Sequence, residues 1–236
     1  MKRKPIIRLE SDVPPQKKVF QYGNYNRYYG YRNQTQDADP RVKLIPKEWI
    51  ESKRILDIGC NVGHFTLSLL QYKPCYIKGI DIDKHLIDAA KKNIKYYSKG
   101  GNNNLLSFEC ANYVSECYDL NEGQYDVVFF LSISKWIHLN FGDDGIKLAF
   151  ARIHQELRPG GKFVFEPQPW TSYKKKRNLT ENISKNYKNI TFLPDLFDNY
   201  LMKTIQYDRR QTLKCPNIDG PGFDQRPIVV YIKKTL

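Results

Sequence analysis

The sequence predicts a doubly wound α/β fold, with a mostly parallel sheet and an antiparallel strand pair at one edge. Three observations lead there. Short apolar runs of strand length alternate with stretches of helical periodicity. One of those runs, Tyr125 to Leu131, is apolar at almost every position, as a central parallel strand covered on both faces must be. A third run, Ile55 to Ile58, passes through Gly59, Asn61 and Gly63 into a helical stripe of Phe65, Leu69 and Leu70. That strand, turn and helix order lets a backbone approach a ligand closely.

The elements follow in order. Residues 1–20 carry charge and proline without periodicity and are expected to form a flexible basic arm, leaving 21–236 as one domain. Residues 21–33 pack tyrosines among glycines and arginines; they are either a packing segment or a substrate lid. Pro46 stands at an expected helix start. The second strand is expected over Tyr76 to Ile82, with Asp83 capping a helix from Lys84 to Tyr97 whose stripe holds Leu86, Ala90 and Ile94. Leu105 to Cys110 and Tyr125 to Leu131 are the third and fourth strands. Asp143 is expected to cap a helix carrying Ile146, Phe150, Ile153 and Leu157, which Arg158-Pro159-Gly160-Gly161 breaks before a fifth strand, Lys162 to Glu166. Helical stretches reach about Leu201. The segments 204–213 and 228–232 are expected to be the last two strands, paired antiparallel.

Composition narrows the function. Lys plus Arg is 38 against 25 Asp plus Glu, a net charge of +13, which favours a polyanionic partner. No apolar run is long enough for a membrane span, and the first residues lack the apolar core of a secretory signal. Five cysteines with no C-x-x-C pair read as reduced thiols, and the four histidines make no H-x-x-x-H pair, so no metal is expected.

The turn itself, Asp57-Ile58-Gly59-Cys60-Asn61-Val62-Gly63, departs from the G-x-G-x-x-G of dinucleotide sites. It resembles the loop of class I S-adenosylmethionine-dependent methyltransferases, and so implies their Rossmann-like fold and cofactor. Asp81, about 20 positions on, fits an acceptor for ribose hydroxyls. The N/D-P-P-Y sequence that base-amine methyltransferases carry after the fourth strand is absent there; Glu166-Pro167-Gln168-Pro169-Trp170 follows the fifth instead.

Three stretches together resemble one family. Gln21-Tyr22-Gly23-Asn24-Tyr25 through Tyr31-Arg32-Asn33, the loop Asp57 to His64, and Ser134-Lys135-Trp136-Ile137-His138-Leu139-Asn140 with Glu166 to Trp170 look like the bicoid-interacting-type RNA methyltransferases, including the methylphosphate capping enzymes. The resemblance implies methyl transfer to a 5′-terminal phosphate of a small structured RNA. The γ-phosphate is the acceptor in the capping branch, and a 5′ monophosphate in the other. An RNA-binding chaperone of a small nuclear ribonucleoprotein with little turnover is the alternative. The resemblance further implies a nuclear location, with the cytoplasm as alternative, proteins of an RNP as candidate partners, and a monomer.

Carried over, the cofactor site is Tyr29, Arg41, Gly59, Cys60, Asn61, Gly63, Asp81, Ile82, Asn112, Tyr113 and Leu131. Arg41 is expected to pair with the methionine carboxylate, and Ile82 and Leu131 either to sandwich the adenine or to be plain core. Arg32, Lys135 and His138 are candidates for a phosphate cradle, with Tyr28 and Trp136 shaping it; Lys135 reads alternatively as a solvated lysine and His138 as a satisfied loop histidine. Glu166 either orders Arg32 or Lys135 or simply ends its strand. The run Lys174, Lys175, Lys176 and Arg177 is either a solvated face or an RNA backbone contact.

Overall fold

The structure is a computed structural model that describes residues 19–25, 39–97, 105–213 and 226–235. Seven strands form one sheet: β1 (Arg54–Ile58), β2 (Tyr76–Asp81), β3 (Leu106–Cys110), β4 (Tyr125–Leu131), β5 (Leu157–Glu166), β6 (Arg209–Leu213) and β7 (Ile228–Ile232). Their order is β3-β2-β1-β4-β5-β7-β6. Strands β1 to β5 run parallel, while β7 runs antiparallel to both β5 and β6. The chain winds outward from β1 to β3, then restarts at β4 and winds the other way. That reversal opens a crevice at the carboxyl ends of β1 and β4, the place where such sheets bind ligands.

β4 shows why the sheet is buried on both faces. Val128 and Phe130 point into a core with Phe150, Phe163, Phe165 and Phe197, while Val127, Phe129 and Leu131 point into a second core with Ile55, Phe65 and Val230. The period-2 alternation feeds both layers, so nearly every residue of β4 is apolar.

Among the described residues there are six α-helices: α1 (His64–Ser68), α2 (Lys84–Tyr97), α3 (Ser134–Glu156), α4 (Trp170–Lys174), α5 (Glu181–Asn189) and α6 (Phe197–Lys203). α2 has the expected bounds, and Asp83 caps it by accepting from the His85 backbone N–H at 2.8 Å. Pro46 precedes a single 3₁₀ turn, Lys47–Trp49, and not an α-helix.

The largest departure from expectation is α3. It holds two helical pieces that meet at a break at Gly142 (φ 68°, ψ −167°), a conformation only glycine holds without strain: the second starts next to Asp143 as expected, and an unexpected first piece begins at Ser134. The Asp143 side chain does not cap that second piece, because both its oxygens are engaged elsewhere. Its Oδ2 accepts from Thr191 N, Thr191 Oγ1 and Phe192 N at 2.8–3.0 Å, tying α3 to the segment after α5. Leu157 opens β5 instead of closing the helix. Among the described residues no helix is long and apolar enough to cross a membrane.

Candidate active site

The site grows from the turn after β1. Gly59 takes φ +77°, and a Cβ there would lie 2.4 Å from Ile133 Cγ2, so the loop closes only with glycine. The Gly59 and Cys60 backbone N–H groups donate to Ile80 O at 2.8 and 2.9 Å, stitching the turn to the end of β2. Asn61, at φ 54°, aims its own N–H at Asp81 Oδ2, 3.0 Å away. Asp81 Oδ1 accepts from Asp83 N at 2.9 Å. The carboxylate is thus fixed by backbone, with lone pairs left over for a ligand.

Two adjoining cavities, of about 500 and 550 Å³, open over this turn. Tyr22, Gly59, Asp81, Ile133 and Trp136 line both, which makes them one bipartite site. The first part is the more apolar, walled by Ile82, Asn112, Tyr113, Ile133 and Ile137. The second holds the polar groups Asn24, Arg41, Asp57, Cys60, Asn61 and Ser132, with Leu131. Ile82 and Leu131 therefore stand in different parts and do not sandwich one ring; Ile133 and Ile137, from the start of α3, share the cavity of Ile82. Gly63 lines neither part. At φ +80° its Cα packs against Phe108, where a Cβ would approach to 2.6 Å, so its role is helix–strand packing.

Charge is distributed unevenly around the site. Burial pushes the Asp57 carboxyl up to about 6 against the Thr66 hydrogen bond and the Arg41 charge. Burial likewise pushes Asp81 up to about 6 against hydrogen bonds from the Asp83 and Asn61 backbone. Arg41 lines the polar part, but its guanidinium is already gripped by the fold: Nε and Nη2 donate to Asp39 at 3.0 and 2.7 Å, and Nη1 to Glu166 Oε2 at 2.7 Å. Glu166 orders Arg41, not Lys135. It also accepts from Ser132 Oγ at 2.7 Å and pairs with Arg226 at 3.4 Å. Arg226 escaped the sequence reading because nothing local marks it; only the β5–β7 pairing brings it to Glu166.

The opposite wall is Trp136. Gly23 lies flat on its indole, so close that a Cβ would overlap Nε1, and Tyr25 meets it edge-on at 6.1 Å. The Lys135 ammonium sits 4.6 Å above the same ring. Gln168 explains why K-W-I-H and E-P-Q-P-W occur together: its Oε1 accepts the Lys135 N–H at 2.9 Å and Ser134 Oγ at 3.3 Å, capping α3 from 34 residues away. His138 leaves the cradle altogether. It is fully buried, bonded to Asp143 Oδ1 at 2.8 Å and facing Tyr173, and burial lowers its pKa against the pull of Asp143. Tyr113 contributes its ring to the apolar part while its hydroxyl donates to Glu156 at 2.8 Å in the core behind. Lys174, Lys175 and Arg177 are exposed at the end of α4, and Lys176 reaches to 5.7 Å from the Tyr25 ring, so the basic run adjoins the Trp136 wall. Tyr28, Tyr29 and Arg32 lie outside the described residues, as does the rest of 26–38.

These residues fit S-adenosylmethionine by their chemistry: an apolar slot for an adenine, a backbone-fixed carboxylate between the two parts for ribose hydroxyls, and an acidic second part for a cationic tail. Comparison with known proteins agrees. Residues 125–233 match the family model "Bicoid-interacting protein 3 (Bin3)", and residues 55–161 match a methyltransferase domain. The chain is 37% identical to the human "7SK snRNA methylphosphate capping enzyme" over 92% of its own length, yet spans only 40% of that protein. It is 37% identical to the Drosophila melanogaster "U6 snRNA methylphosphate capping enzyme Amus", covering 91% of this chain and 75% of the relative. An "RNA 5'-monophosphate methyltransferase" of Pongo abelii is 24% identical, over 91% of this chain and 82% of the relative. In fold alone, a solved SAM-dependent methyltransferase from Methanosarcina mazei superposes with a TM-score of 0.54 at 16% identity, covering 85% of this chain and all (100%) of the other.

Proposed function

The chain belongs to the Bicoid-interacting protein 3 family, and from that premise we propose that it is an RNA 5′-terminal phosphate O-methyltransferase acting on the γ-phosphate of a small RNA. The observation that carries this reading is the division of charge across one site. Asp57 and Asp81 lie on the β1–β2 side, Lys135 and the Lys174 to Arg177 run on the other, and Trp136 stands between. An acidic half suits a sulfonium donor, and a cationic half suits a phosphate acceptor. The higher identity to relatives named as capping enzymes than to those named for monophosphate ends favours the triphosphate.

S-adenosylmethionine, when bound, supplies a methyl group already activated on sulfur. The chain's own task is then placement. A terminal phosphate oxygen is anionic near neutral pH, since its second pKa is about 6, so no general base is required. That agrees with His138 being buried away from the site. Asp81 orients the ribose, the slot at Ile82 and Ile133 excludes water from the adenine, and Lys135 balances acceptor charge. Arg32 and Tyr28 join Lys135 in this proposal as residues that close over the phosphate. The substrate class carries a nuclear location and RNP partners with it, and RNA contact through Lys174 to Arg177.

The test is mass spectrometry of a 5′-triphosphate RNA after incubation with donor and protein. The terminal nucleotide should gain one methyl mass that pyrophosphatase treatment releases with the phosphates. A methyl retained on the nucleoside would overturn the proposal.

A further inference from the structure

From the geometry we infer that Asn24 is a further donor-binding residue, whose Oδ1 accepts a polar hydrogen of the bound cofactor. The inference rests on the donor reading above. Asn24 lies on the polar cavity wall, on the short strap of residues 21–25 that covers the site. Its Nδ2 donates to Asp83 Oδ2 at 2.5 Å. A carboxylate can only accept, so this bond fixes which end of the amide faces away. Asn24 Oδ1 is that end; it is buried and has no hydrogen-bond partner among the described residues. Buried acceptors are rarely left in that condition. The two other buried side-chain atoms in the same condition, Ser172 Oγ and Tyr207 Oη, belong to residues that line neither cavity.

The strap is anchored at several points. Asn140 Nδ2 donates to Gln21 O at 2.8 Å, Gly23 N donates to Phe20 O at 3.0 Å, and Gly23 rests on Trp136. Its neighbours on the cavity wall are acceptors too, namely Asp57 and Asp81. A wall so rich in acceptors calls for a ligand that brings N–H or O–H groups. The donor brings three kinds, the ammonium of its tail, the hydroxyls of its ribose and the amine of its adenine; Asn24 lines only the polar part, away from the adenine slot, which leaves the first two.

The experiment is calorimetric, on the full chain, with wild type and Asn24→Ala, and a thermal melt to confirm that the variant folds. Three ligands are titrated: S-adenosylhomocysteine, 5′-methylthioadenosine, which lacks the ammonium, and the 2′,3′-dideoxy form of the latter. Asn24→Ala should weaken S-adenosylhomocysteine by about tenfold, the worth of one hydrogen bond. If the penalty vanishes with 5′-methylthioadenosine, the ammonium is the partner. If it persists there and vanishes with the dideoxy form, a ribose hydroxyl is. Both results support the inference. An equal penalty on all three ligands would mean a loosened strap, and no penalty on any would mean that Asn24 does not touch the donor; each overturns it. Failure of the wild type itself to bind S-adenosylhomocysteine would instead strike the donor reading, and this inference with it.

Discussion

The two halves of the site are built by different means. The half proposed for the donor is local: the turn Gly59 to Gly63, the end of β2, Asp81 pinned by backbone N–H groups and Asp57 by the Thr66 hydroxyl. The half proposed for the acceptor is assembled from distant pieces by aromatic and cationic contacts: Gly23, Tyr25, Lys135, Trp136 and Lys176. Fixed dipoles suit a single ligand of constant shape. A cation–aromatic surface suits the end of a flexible polyanion, whose partners differ from one RNA to another.

The comparison breaks most visibly at Glu166, which joins the halves. It satisfies Arg41, Ser132 and Arg226 at once, with its side chain fully buried. Glu166→Ala leaves Arg41 paired with Asp39 but strips Ser132 and Arg226 of their shared acceptor; it should cost about 3 kcal/mol of stability by urea unfolding, the lower end for breaking a buried pair. Both donor and RNA binding should fall with it. A change within about 0.5 kcal/mol would show that the network is dispensable.

Asp81→Ala should separate the halves instead. Losing a charged acceptor should weaken S-adenosylhomocysteine by about 1.5–3 kcal/mol while RNA affinity stays unchanged, as read by calorimetry and filter binding. Unchanged cofactor affinity in a folded variant would remove Asp81 from the site.

pH sharpens the same contrast. Asp57 and Asp81 have pKa values raised from 3.8 to about 6. The charged forms bind the donor, so its affinity should fall as pH drops through about 6, by up to about tenfold per unit for each carboxyl. Stability of the ligand-free chain should move the other way. A raised carboxyl binds more protons folded than unfolded between pH 3.8 and about 6, so its stabilising contribution is present below 3.8 and is lost as pH rises through about 6. Asp143 has the opposite sign. Burial acts to raise its pKa, but hydrogen bonds from His138, Thr191 and Phe192 hold it at about 2. Its contribution is present above 3.8 and is lost as pH falls through about 2. Donor affinity that is flat from pH 5 to 7 would contradict the assignment of Asp57 and Asp81.

The smallest effect is expected at the basic run. Changing Lys174, Lys175, Lys176 and Arg177 to Ser should flatten the salt dependence of RNA binding, without touching cofactor affinity. The slope should fall by about 0.7 for each phosphate no longer neutralised. An unaltered slope would leave the run as a solvated face.

The geometry around the β1 turn was largely legible in the sequence because its information is contiguous. The turn glycines, Asp81, and Asp83 capping α2 lie within about one βαβ unit, and each residue does its work on a neighbour. The acceptor half was only partly legible. K-W-I-H-L-N and E-P-Q-P-W could be noticed, but not that Gln168 caps the helix holding Lys135, since that bond spans 33 residues. Nor could sequence place His138, because Asp143 reads as a helix cap and Tyr173 lies 35 residues away, and the break at Gly142 that turns Asp143 back onto His138 has no local signature. Charge type was readable; which charge meets which was not, as Glu166 with Arg41 and Arg226 shows.

The acceptor atom decides the account. One small RNA prepared with a 5′-triphosphate, a 5′-monophosphate or a 5′-hydroxyl, incubated with methyl-labelled donor, should take label in the order triphosphate, then monophosphate, with the hydroxyl form blank. Equal labelling of the hydroxyl RNA would contradict a phosphate acceptor, and with it the pairing of an acidic donor half with a cationic acceptor half.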